Sequence, residues 1–416
     1  MTQESVRRSV ICMFVWNRQL WLEHLQYDIM QFWKQPGCLG TPIGNFPTFI
    51  DQNGIPEPGK IHYMRMQGRR IYGFLAAGEL LKNSDYLEWG KRGLEWLEKY
   101  AVNPEGGYFS QLTSEGIPLK EPVTIQDLSY TVFPYLKYYK LTGEKSALKN
   151  VADVLDLILN GPFVKNGTLV DSLSWDYTRV CYFEGNTLNI VSLLDLMNLL
   201  LVPLMNEDDD DVINTFFPDL TDLVERLLDF LVSEFYGADI FWNEKNNRSD
   251  YAAKHVDLGH TSKAYGVLFQ ANRCLIRHGR KVKYLELEKK YLPILQAASD
   301  PIIGWRTDFY NSPVSFRPDS VQWWRYILID QTAALYAAEY PELEELLENG
   351  LQKWLELPFV DRKREVRGIR EGLRADGTLW TDEDSSSCKA NLWKSSYHEV
   401  EHVESILAYI SKKYVQ

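Results

Sequence analysis

Cysteine is scarce in this chain of 416 residues, and its five cysteines are scattered at positions 12, 38, 181, 274 and 388. No two of them form a CxxC pair, so the usual ligand spacing of a structural zinc site is missing. An odd number of widely spaced cysteines is also a poor framework for the disulfides that are typical of secreted proteins. We therefore predict reduced thiols, a cytoplasmic location and no metal site.

Long apolar runs and basic patches are missing as well. No apolar stretch approaches the roughly 18 residues of a membrane span, and the N-terminus lacks the apolar segment of a secretory signal. Lysine and arginine together number 45 against 57 aspartate and glutamate residues, which gives a formal net charge of −12. Because nucleic acids and anionic membranes are bound through basic surfaces, we expect neither as a partner.

Aromatic residues, by contrast, are abundant. The 13 Trp, 24 Tyr and 18 Phe make up 13% of the chain. So many rings indicate either a very large core or a cleft that is lined with aromatic side chains.

Hydrophobic periodicity predicts twelve helical segments, many of them in pairs that are joined by short turns. Longer stretches separate the pairs, and several, such as residues 106–118, have the alternation and turn of a small β-hairpin. This pattern predicts an all-α (α/α)6 barrel, a double ring of six helical hairpins whose long and functional loops gather at one mouth. No linker divides the chain, so we predict a single domain over residues 1–416. The predicted helices cover residues 2–32, 60–82, 84–100, 124–141, 144–160, 184–202, 211–236, 258–279, 281–298, 319–338, 341–356 and 395–414.

The C-terminal stretch, residues 391–410, concentrates side chains that suit a sugar. His398, Glu401 and His402 are three and four residues apart on a predicted helix, so they share one side of its first turns. Just upstream, Trp393, Lys394 and Tyr397 supply a flat ring, a cation and a phenol. Aromatic platforms beside an imidazole fit a small polyhydroxylated ligand, since rings cover C–H faces while polar groups bind hydroxyls. A terminal amphipathic helix with surface polar residues is the alternative.

A second histidine stands at the start of another predicted helix. His260 follows Gly259 directly, and the positive end of the helix dipole there favours a neutral imidazole, as a general base requires. Arg69 lies on a predicted inward face, where a guanidinium needs an anionic or carbonyl-like partner. Trp323 and Trp324 begin a further helix, and adjacent indoles point about 100° apart, so one can enter the core while the other faces the mouth.

Together these motifs resemble the N-acylglucosamine 2-epimerase superfamily, which includes mannose isomerases and cellobiose 2-epimerases and has an (α/α)6 barrel. Residues 67–74 resemble its Q-x-R-x-x-x-x-F helix, which implies that Arg69 binds substrate. Residues 259–260 resemble its G-H helix start, and residues 393–398 its W-K-x-x-Y-H motif, which implies that His260 and His398 are the catalytic acid/base pair. The resemblance further implies a role in substrate binding for the remaining motif residues: Trp323, Trp324, Trp393, Lys394, Tyr397 and Asn186.

The chain departs from this family at three places. The family commonly has Glu three residues after the first histidine, where this chain has Lys263, and often has Arg after the second, where Glu401 and His402 stand. The two changes are complementary in charge, so we expect Lys263 and Glu401 to form an ion pair across the mouth, with His402 beside them in the site. A third family histidine is replaced by Ile190, and Glu184 or Asn189 are candidates to substitute for it.

The resemblance implies proton abstraction and return at C2 of an open-chain sugar, with neither metal nor redox cofactor. Two alternatives stay open. An inverting glycoside hydrolase on the same barrel would need two carboxylates roughly 6.5–9.5 Å apart, with Asp127, Asp176, Asp257 and Glu401 as candidates. A non-catalytic carbohydrate-binding protein would use the tryptophans alone. The outer helices are also compatible with a homodimer.

Overall fold

The computed structural model describes residues 15–182, 189–207, 210–234, 255–310, 320–379 and 389–414, and these are mostly helical. The helices are α1 (Arg18–Glu23), α2 (Met30–Trp33), α3 (Pro36–Leu39), α4 (Met64–Leu81), α5 (Ser84–Tyr100), α6 (Ile125–Thr142), α7 (Lys145–Leu159), α8 (Ile190–Leu196), α9 (Val202–Met205), α10 (Asp210–Phe216), α11 (Leu220–Glu234), α12 (Leu258–Arg277), α13 (Leu285–Lys289), α14 (Tyr291–Ala298), α15 (Trp323–Ala337), α16 (Glu344–Glu356) and α17 (Ser396–Tyr414).

Six of these helices close a ring. Each packs against the next in the order α4, α6, α8, α12, α15 and α17, and α17 returns to α4. Outside this inner ring, α5 packs on α4, α7 on α6, α11 and α13 on α12, α16 on α15, and α1 on α17. The fold is therefore an (α/α)6 barrel, as predicted.

Burial distinguishes the two layers of helices. Along α4 nearly every residue from Met64 to Gly78 is buried, because the helix is covered by its ring neighbours on both sides and by α5 behind. The outer helix α5 instead buries one stripe, which includes Leu94 and Leu97, and exposes its charged residues. This contrast follows from packing, since a helix buried on all sides has no polar face.

Short antiparallel strand pairs lie at the N-terminal ends of the inner helices, as expected for hairpins in the long loops. The pairs join β1 (His62–Tyr63) with β2 (Gln111–Leu112), the central strand β6 (Ser172–Leu173) with β3 (Val123–Thr124) on one side and β7 (Val180–Cys181) on the other, β8 (His255–Asp257) with β11 (Asp308–Tyr310), and β12 (Ser320–Gln322) with β13 (Gly372–Arg374). Four of these strands run directly into inner helices, so the strand pairs mark one end of the barrel, which we call the mouth. The strands are β1 (His62–Tyr63), β2 (Gln111–Leu112), β3 (Val123–Thr124), β4 (Val164–Lys165), β5 (Thr168–Leu169), β6 (Ser172–Leu173), β7 (Val180–Cys181), β8 (His255–Asp257), β9 (Ser299–Asp300), β10 (Gly304–Trp305), β11 (Asp308–Tyr310), β12 (Ser320–Gln322) and β13 (Gly372–Arg374).

Two predicted helices, 2–32 and 184–202, pass through π-helical turns at His24–Ile29 and Met197–Leu201, and two others are broken by a turn. The segment 211–236 is broken between α10 and α11 at Pro218, whose ring disfavours helix at the preceding residue and removes an N–H donor. The segment 281–298 consists of α13 and α14, which meet at Lys290. Within the described ranges, no helix is both long and apolar enough to cross a membrane.

Candidate active site

The three predicted catalytic residues come from three inner helices and converge at the mouth. Arg69 lies in the second turn of α4, while His260 and His398 are each the third residue of their helices, α12 and α17. Burial first, and then electrostatic interactions with Arg69, Lys263, Lys394 and His260, lower the pKa of His398, so these four residues lie within electrostatic range of its imidazole. The structure therefore gathers the residues that the sequence separates by more than 300 positions.

His260 is held by the residue that caps its helix. Asp257 accepts hydrogen bonds from the backbone N–H groups of Gly259 and His260 through Oδ1, and its Oδ2 lies 2.9 Å from His260 Nδ1. Burial would raise the pKa of Asp257, but the charges of Arg325 and His260 outweigh it and hold that pKa well below its usual range. Asp257 is therefore a fixed anion that orients the imidazole, and Nε2 is left for the mouth.

The glycine before His260 allows an indole to approach the imidazole. A Cβ on Gly259 would lie 2.8 Å from the Trp324 ring and 2.7 Å from Arg325 Cγ, both too close for a real contact. With glycine in place, the rings of Trp324 and His260 are 4.8 Å apart between centroids. Trp324 is half-buried whereas Trp323 is fully buried, so the predicted division between a core indole and a mouth indole is confirmed.

His398 is a buried imidazole among cations. Its side chain is 10% exposed, and Nδ1 has no hydrogen-bond partner. Burial first, and then the charges of Arg69, Lys263 and Lys394, lower the pKa of His398 well below its ordinary value. The ring is consequently neutral at physiological pH, which is the state that a general base needs.

Arg69 is fixed by stacking and by one backbone carbonyl. Its guanidinium lies over the Tyr130 ring, 3.8 Å from the centroid, and Nη1 donates to the carbonyl of Trp393 at 3.0 Å. The close approach of α4 and α6 that allows this stacking depends on Gly68, where a Cβ would meet the Tyr130 carbonyl oxygen at 1.9 Å. Arg69 Nε is buried without a partner.

The rim of the mouth contains a cation that sequence reasoning missed. Arg65 lies 4.4 Å over the ring of Trp393, which is 53% exposed, and its Nη1 is 3.4 Å from Asp127 Oδ1. Its position one turn before Arg69 on α4 is the signal that could have identified it. Trp393 is thus an exposed platform at the mouth, as a substrate-binding role requires.

The prediction of an ion pair between Lys263 and Glu401 is wrong. Lys263 forms its ion pair with Asp195 of α8, and both side chains are buried, at 4% and 1% exposure. Asp195 also accepts from Gln126 at 2.7 Å and from Tyr130 at 3.1 Å. Glu401 is a poorer partner because burial raises its pKa to about 7. A buried ammonium is paired by the carboxylate that can stay ionised beside it.

Four predicted substrate-binding residues are part of the core. Lys394 is fully buried, with Nζ 2.7 Å from Glu399 Oε1 and 4.1 Å above the Trp323 ring. His402 is 1% exposed and lies 2.9 Å from Asp330 Oδ2, between the edges of two tryptophan rings. Trp323 and Tyr397 are each 1% exposed. The predictions that Lys394, His402, Trp323 and Tyr397 bind substrate directly are therefore not supported by their positions.

The residues predicted near the third family histidine precede or begin α8 in the sequence. Asn186, predicted to bind substrate, and Glu184 lie outside the described residues. Ile190, which stands at the position of the third family histidine, is the first residue of α8, and the preceding Asn189 caps that helix by accepting from the Val191 backbone N–H at 3.0 Å. Asn189 is therefore used by its own helix.

The carboxylates proposed for a hydrolase are mostly fixed as anions. Asp127 forms a capping box with Thr124 and pairs with Arg65. Hydrogen bonds from Ser174 and Thr178 lower the pKa of Asp176, and Asp257 is the cap described above. Burial raises the pKa of the fourth candidate, Glu401, to about 7, as a general acid would need. Within the described residues, no group of His, Cys, Asp and Glu could hold a metal ion.

A cavity of about 580 Å³ continues inside the ring beyond these residues. Lys263, Tyr397 and Glu401 form its inner end, and Glu339 and Lys412, near the C-terminal ends of α15 and α17, are exposed at its outer end. A larger cavity of about 660 Å³ lies on the outside of the barrel between α7 and α11. The outer cavity contains none of the residues that converge at the mouth, so its size does not make it the site.

An (α/α)6 barrel with two imidazoles, a stacked arginine and aromatic platforms at its mouth defines a class of acid/base site for small polar molecules. A family model for N-acylglucosamine 2-epimerase (GlcNAc 2-epimerase) matches residues 44–277, more than half of the chain. The chain therefore belongs to the N-acylglucosamine 2-epimerase family. Among curated proteins, no match to this chain is found.

Solved structures share the fold at low sequence identity. Cellobiose 2-epimerase from Spirochaeta thermophila DSM 6192 superposes with a TM-score of 0.77 at 16% identity, over 97% of this chain and 98% of that chain. A D-mannose isomerase gives 0.74 at 16% identity, over 95% and 98%. A sugar epimerase from a ruminal bacterium gives 0.76 at 15% identity, over 94% and 98%. At such identities the similarity establishes the fold alone.

Proposed function

We propose that this protein is a sugar 2-epimerase or aldose–ketose isomerase that acts at C2 of an open-chain hexose or N-acylhexosamine. Family membership supports the reaction class. The observation that carries the proposal is His398, a buried neutral imidazole with an unpartnered Nδ1 that lies within electrostatic range of Arg69 and Lys263. A neutral base beside fixed cations suits the abstraction of a proton α to a carbonyl, because negative charge develops on the substrate as the proton leaves.

The environments of the two imidazoles suggest different roles. In our proposal, His398 takes the C2 proton, and the electron pair of the C–H bond becomes the enediolate, whose oxygen charge Arg69 stabilises. The Asp257 carboxylate holds Nδ1 of His260, so in our proposal it is Nε2 of His260 that returns a proton. Return to the opposite face of C2 gives the 2-epimer, and return to C1 gives the ketose. Asp257 positions His260, and Trp324 and Trp393 cover the C–H faces of the sugar.

The proposal is tested by proton exchange. The protein is incubated in D2O with mannose, glucose, N-acetylglucosamine, N-acetylmannosamine and cellobiose, and loss of the C2–H signal is followed by NMR. We expect exchange with at least one of these sugars. The interconversion of the two epimers, followed in the same spectra, should fall about 10²–10⁴-fold in His260→Ala and His398→Ala, which is the usual contribution of a positioned acid or base. His278→Ala is the matched control, since His278 is exposed just beyond the other end of α12.

Other outcomes assign other functions. Release of reducing ends from a glycoside without C2 exchange would establish a hydrolase and overturn the proposal. Sugar binding without exchange or hydrolysis would establish a carbohydrate-binding protein. We further propose that residues 1–416 work as a single catalytic domain in the cytoplasm, in keeping with the free thiols of Cys38, Cys181 and Cys274. The homodimer stays a prediction.

A further inference from the structure

Two buried polar atoms without hydrogen bonds face each other behind the catalytic pair. Nδ1 of His398 and Oε2 of Glu401 both lack a partner, and they are 3.9 Å apart on consecutive turns of α17. The other oxygen of Glu401, Oε1, accepts from the Tyr397 hydroxyl at 2.8 Å. A distance of 3.9 Å is too long for a hydrogen bond, but catalytic hydrogen bonds are often long in unliganded structures and shorten when substrate is present.

Glu401 is surrounded by groups from three other inner helices. Lys263 of α12 and the Tyr72 phenol of α4 lie within electrostatic range of the Glu401 carboxyl. Gln331 of α15, which donates to Ser405 Oγ at 3.3 Å, lines the same cavity. On α17 itself, besides Tyr397 and His398, Glu404 adds a like charge.

These surroundings set the order of proton affinity. Burial raises the pKa of Glu401 to about 7 against the opposing effects of the Tyr397 hydroxyl and of Lys263. Burial and neighbouring cations lower the pKa of His398 well below 6.5. A proton shared by the two groups therefore resides on the carboxyl rather than on the imidazole.

The Glu401 side chain also borders a cavity whose exposed end lies away from the mouth. A fifth of the Glu401 side chain is exposed, and it lies at the inner end of the 580 Å³ cavity, which is lined further out by the exposed Glu339 and Lys412. Substrate bound at the mouth would cover His398 but not this cavity.

We propose that Glu401 is the positioning residue and proton store of His398. This inference rests on the proposed function and deepens it. The C2–H bond breaks and its proton binds His398 Nε2, while the electron pair enters the enediolate. The proton on Nδ1 then moves to Glu401 Oε2, which leaves a neutral imidazole and a carboxylic acid. The proton on Glu401 exchanges with water in the cavity, and the reverse steps regenerate the base.

The test is the pH dependence of kcat in the full-length protein, with the sugar that shows C2 exchange. Glu401 must be ionised to accept a proton, so we expect kcat of the wild type to be about tenfold lower at pH 6 than at pH 8, given a carboxyl that titrates near 7. Glu401→Gln keeps the shape and the acceptor for Tyr397 but cannot accept a proton. Its kcat should be flat across this range, at or below the wild-type value at pH 6.

Two further variants separate this role from a structural one. Glu401→Asp should retain a pH-dependent kcat, although at a lower rate. Glu404→Gln removes a carboxylate from the same cavity wall, where Glu404 binds Lys137 and Tyr72. Because the like charge of Glu404 helps to raise the Glu401 pKa, the pH dependence should move slightly to lower pH in Glu404→Gln but should persist. An unchanged profile in Glu401→Gln, or a flat profile in Glu404→Gln, would overturn the proposal.

A second readout needs no turnover. In protein labelled with ¹³C-histidine and without sugar, the His398 resonance, assigned with His398→Asn, should shift with a midpoint near pH 7 as Glu401 ionises. That shift should vanish in Glu401→Gln. Its presence in that variant would contradict the interaction between Glu401 and His398. Absence of C2 exchange with every sugar would contradict the proposed function. Exchange with a kcat that does not fall between pH 8 and pH 6 would contradict only the role proposed for Glu401.

Discussion

Replacement of Lys263 by methionine tests the buried charge pair that replaces the expected contact with Glu401. In Lys263→Met, the Asp195 carboxylate, 1% exposed, loses its counter-ion. Removal of one partner of a buried pair typically costs about 3–5 kcal/mol, because the remaining charge is left uncompensated. Gln126 and Tyr130 still donate to Asp195, so we expect a loss near the lower end, about 3 kcal/mol in the free energy of unfolding.

Urea unfolding of single and double variants measures this loss. Lys263→Met with Asp195→Asn removes both charges and should regain all but about 1 kcal/mol, whereas Lys263→Met with Glu401→Gln should regain little. The Asp195 pKa is lowered, so its contribution is present above the unfolded value of 3.8 and is lost in acid. The Lys263 pKa is raised, so its contribution is lost only in strong alkali. The stabilisation by the wild-type pair should thus be constant from about pH 5 to 9. If Glu401→Gln rather than Asp195→Asn restored the stability lost in Lys263→Met, the assignment of Asp195 as the partner of Lys263 would be refuted.

Two more variants test the core and the mouth. Lys394→Met should lower the free energy of unfolding by about 3–5 kcal/mol in the same urea assay, because it leaves the buried Glu399 carboxylate without its cation. A loss below about 1 kcal/mol would contradict the claim that Lys394 and Glu399 form a buried ion pair. Gly259→Ala places a methyl group 2.8 Å from Trp324, which should displace His260. Because misplacement of a catalytic group by about 1 Å costs up to a hundredfold in rate, kcat/KM should fall by about tenfold or more. Unchanged steady-state kinetics would show that the close contact between Gly259 and Trp324 is not needed.

The fold was accessible from sequence because its signal is local. Twelve periodic segments joined by alternating short and long connections define helical hairpins, and each hairpin buries its apolar stripe on its neighbours. Bounds such as 258–279 agree with Leu258–Arg277 to within a turn. The prediction missed the break at Pro218, where the apolar periodicity continues on both sides of a residue that helices do not tolerate.

The contacts of the site residues were harder to predict from sequence because their partners lie on other helices. Spacing places His398 and His402 on one side of α17, but it does not tell which turn faces the mouth and which faces Asp330. The partner of Lys263 is Asp195 on the preceding inner helix, and no local pattern links the two. Complementary charge at Lys263 and Glu401 suggested a contact, whereas burial decides which carboxylate stays ionised. The prediction for Trp323 and Trp324 was correct because the 100° offset between adjacent side chains is a property of a single helix.

The most direct test of the central claim is C2 deuterium exchange measured from each of the two interconverted sugars in His398→Asn and His260→Asn. If the imidazoles act on opposite sides of C2, both variants lose interconversion by about 10²–10⁴-fold. Each variant should still exchange the C2 proton of the one epimer that its remaining histidine serves, so the two losses are complementary. Equal exchange from both epimers in His398→Asn would contradict the assignment of His398 as the base for C2.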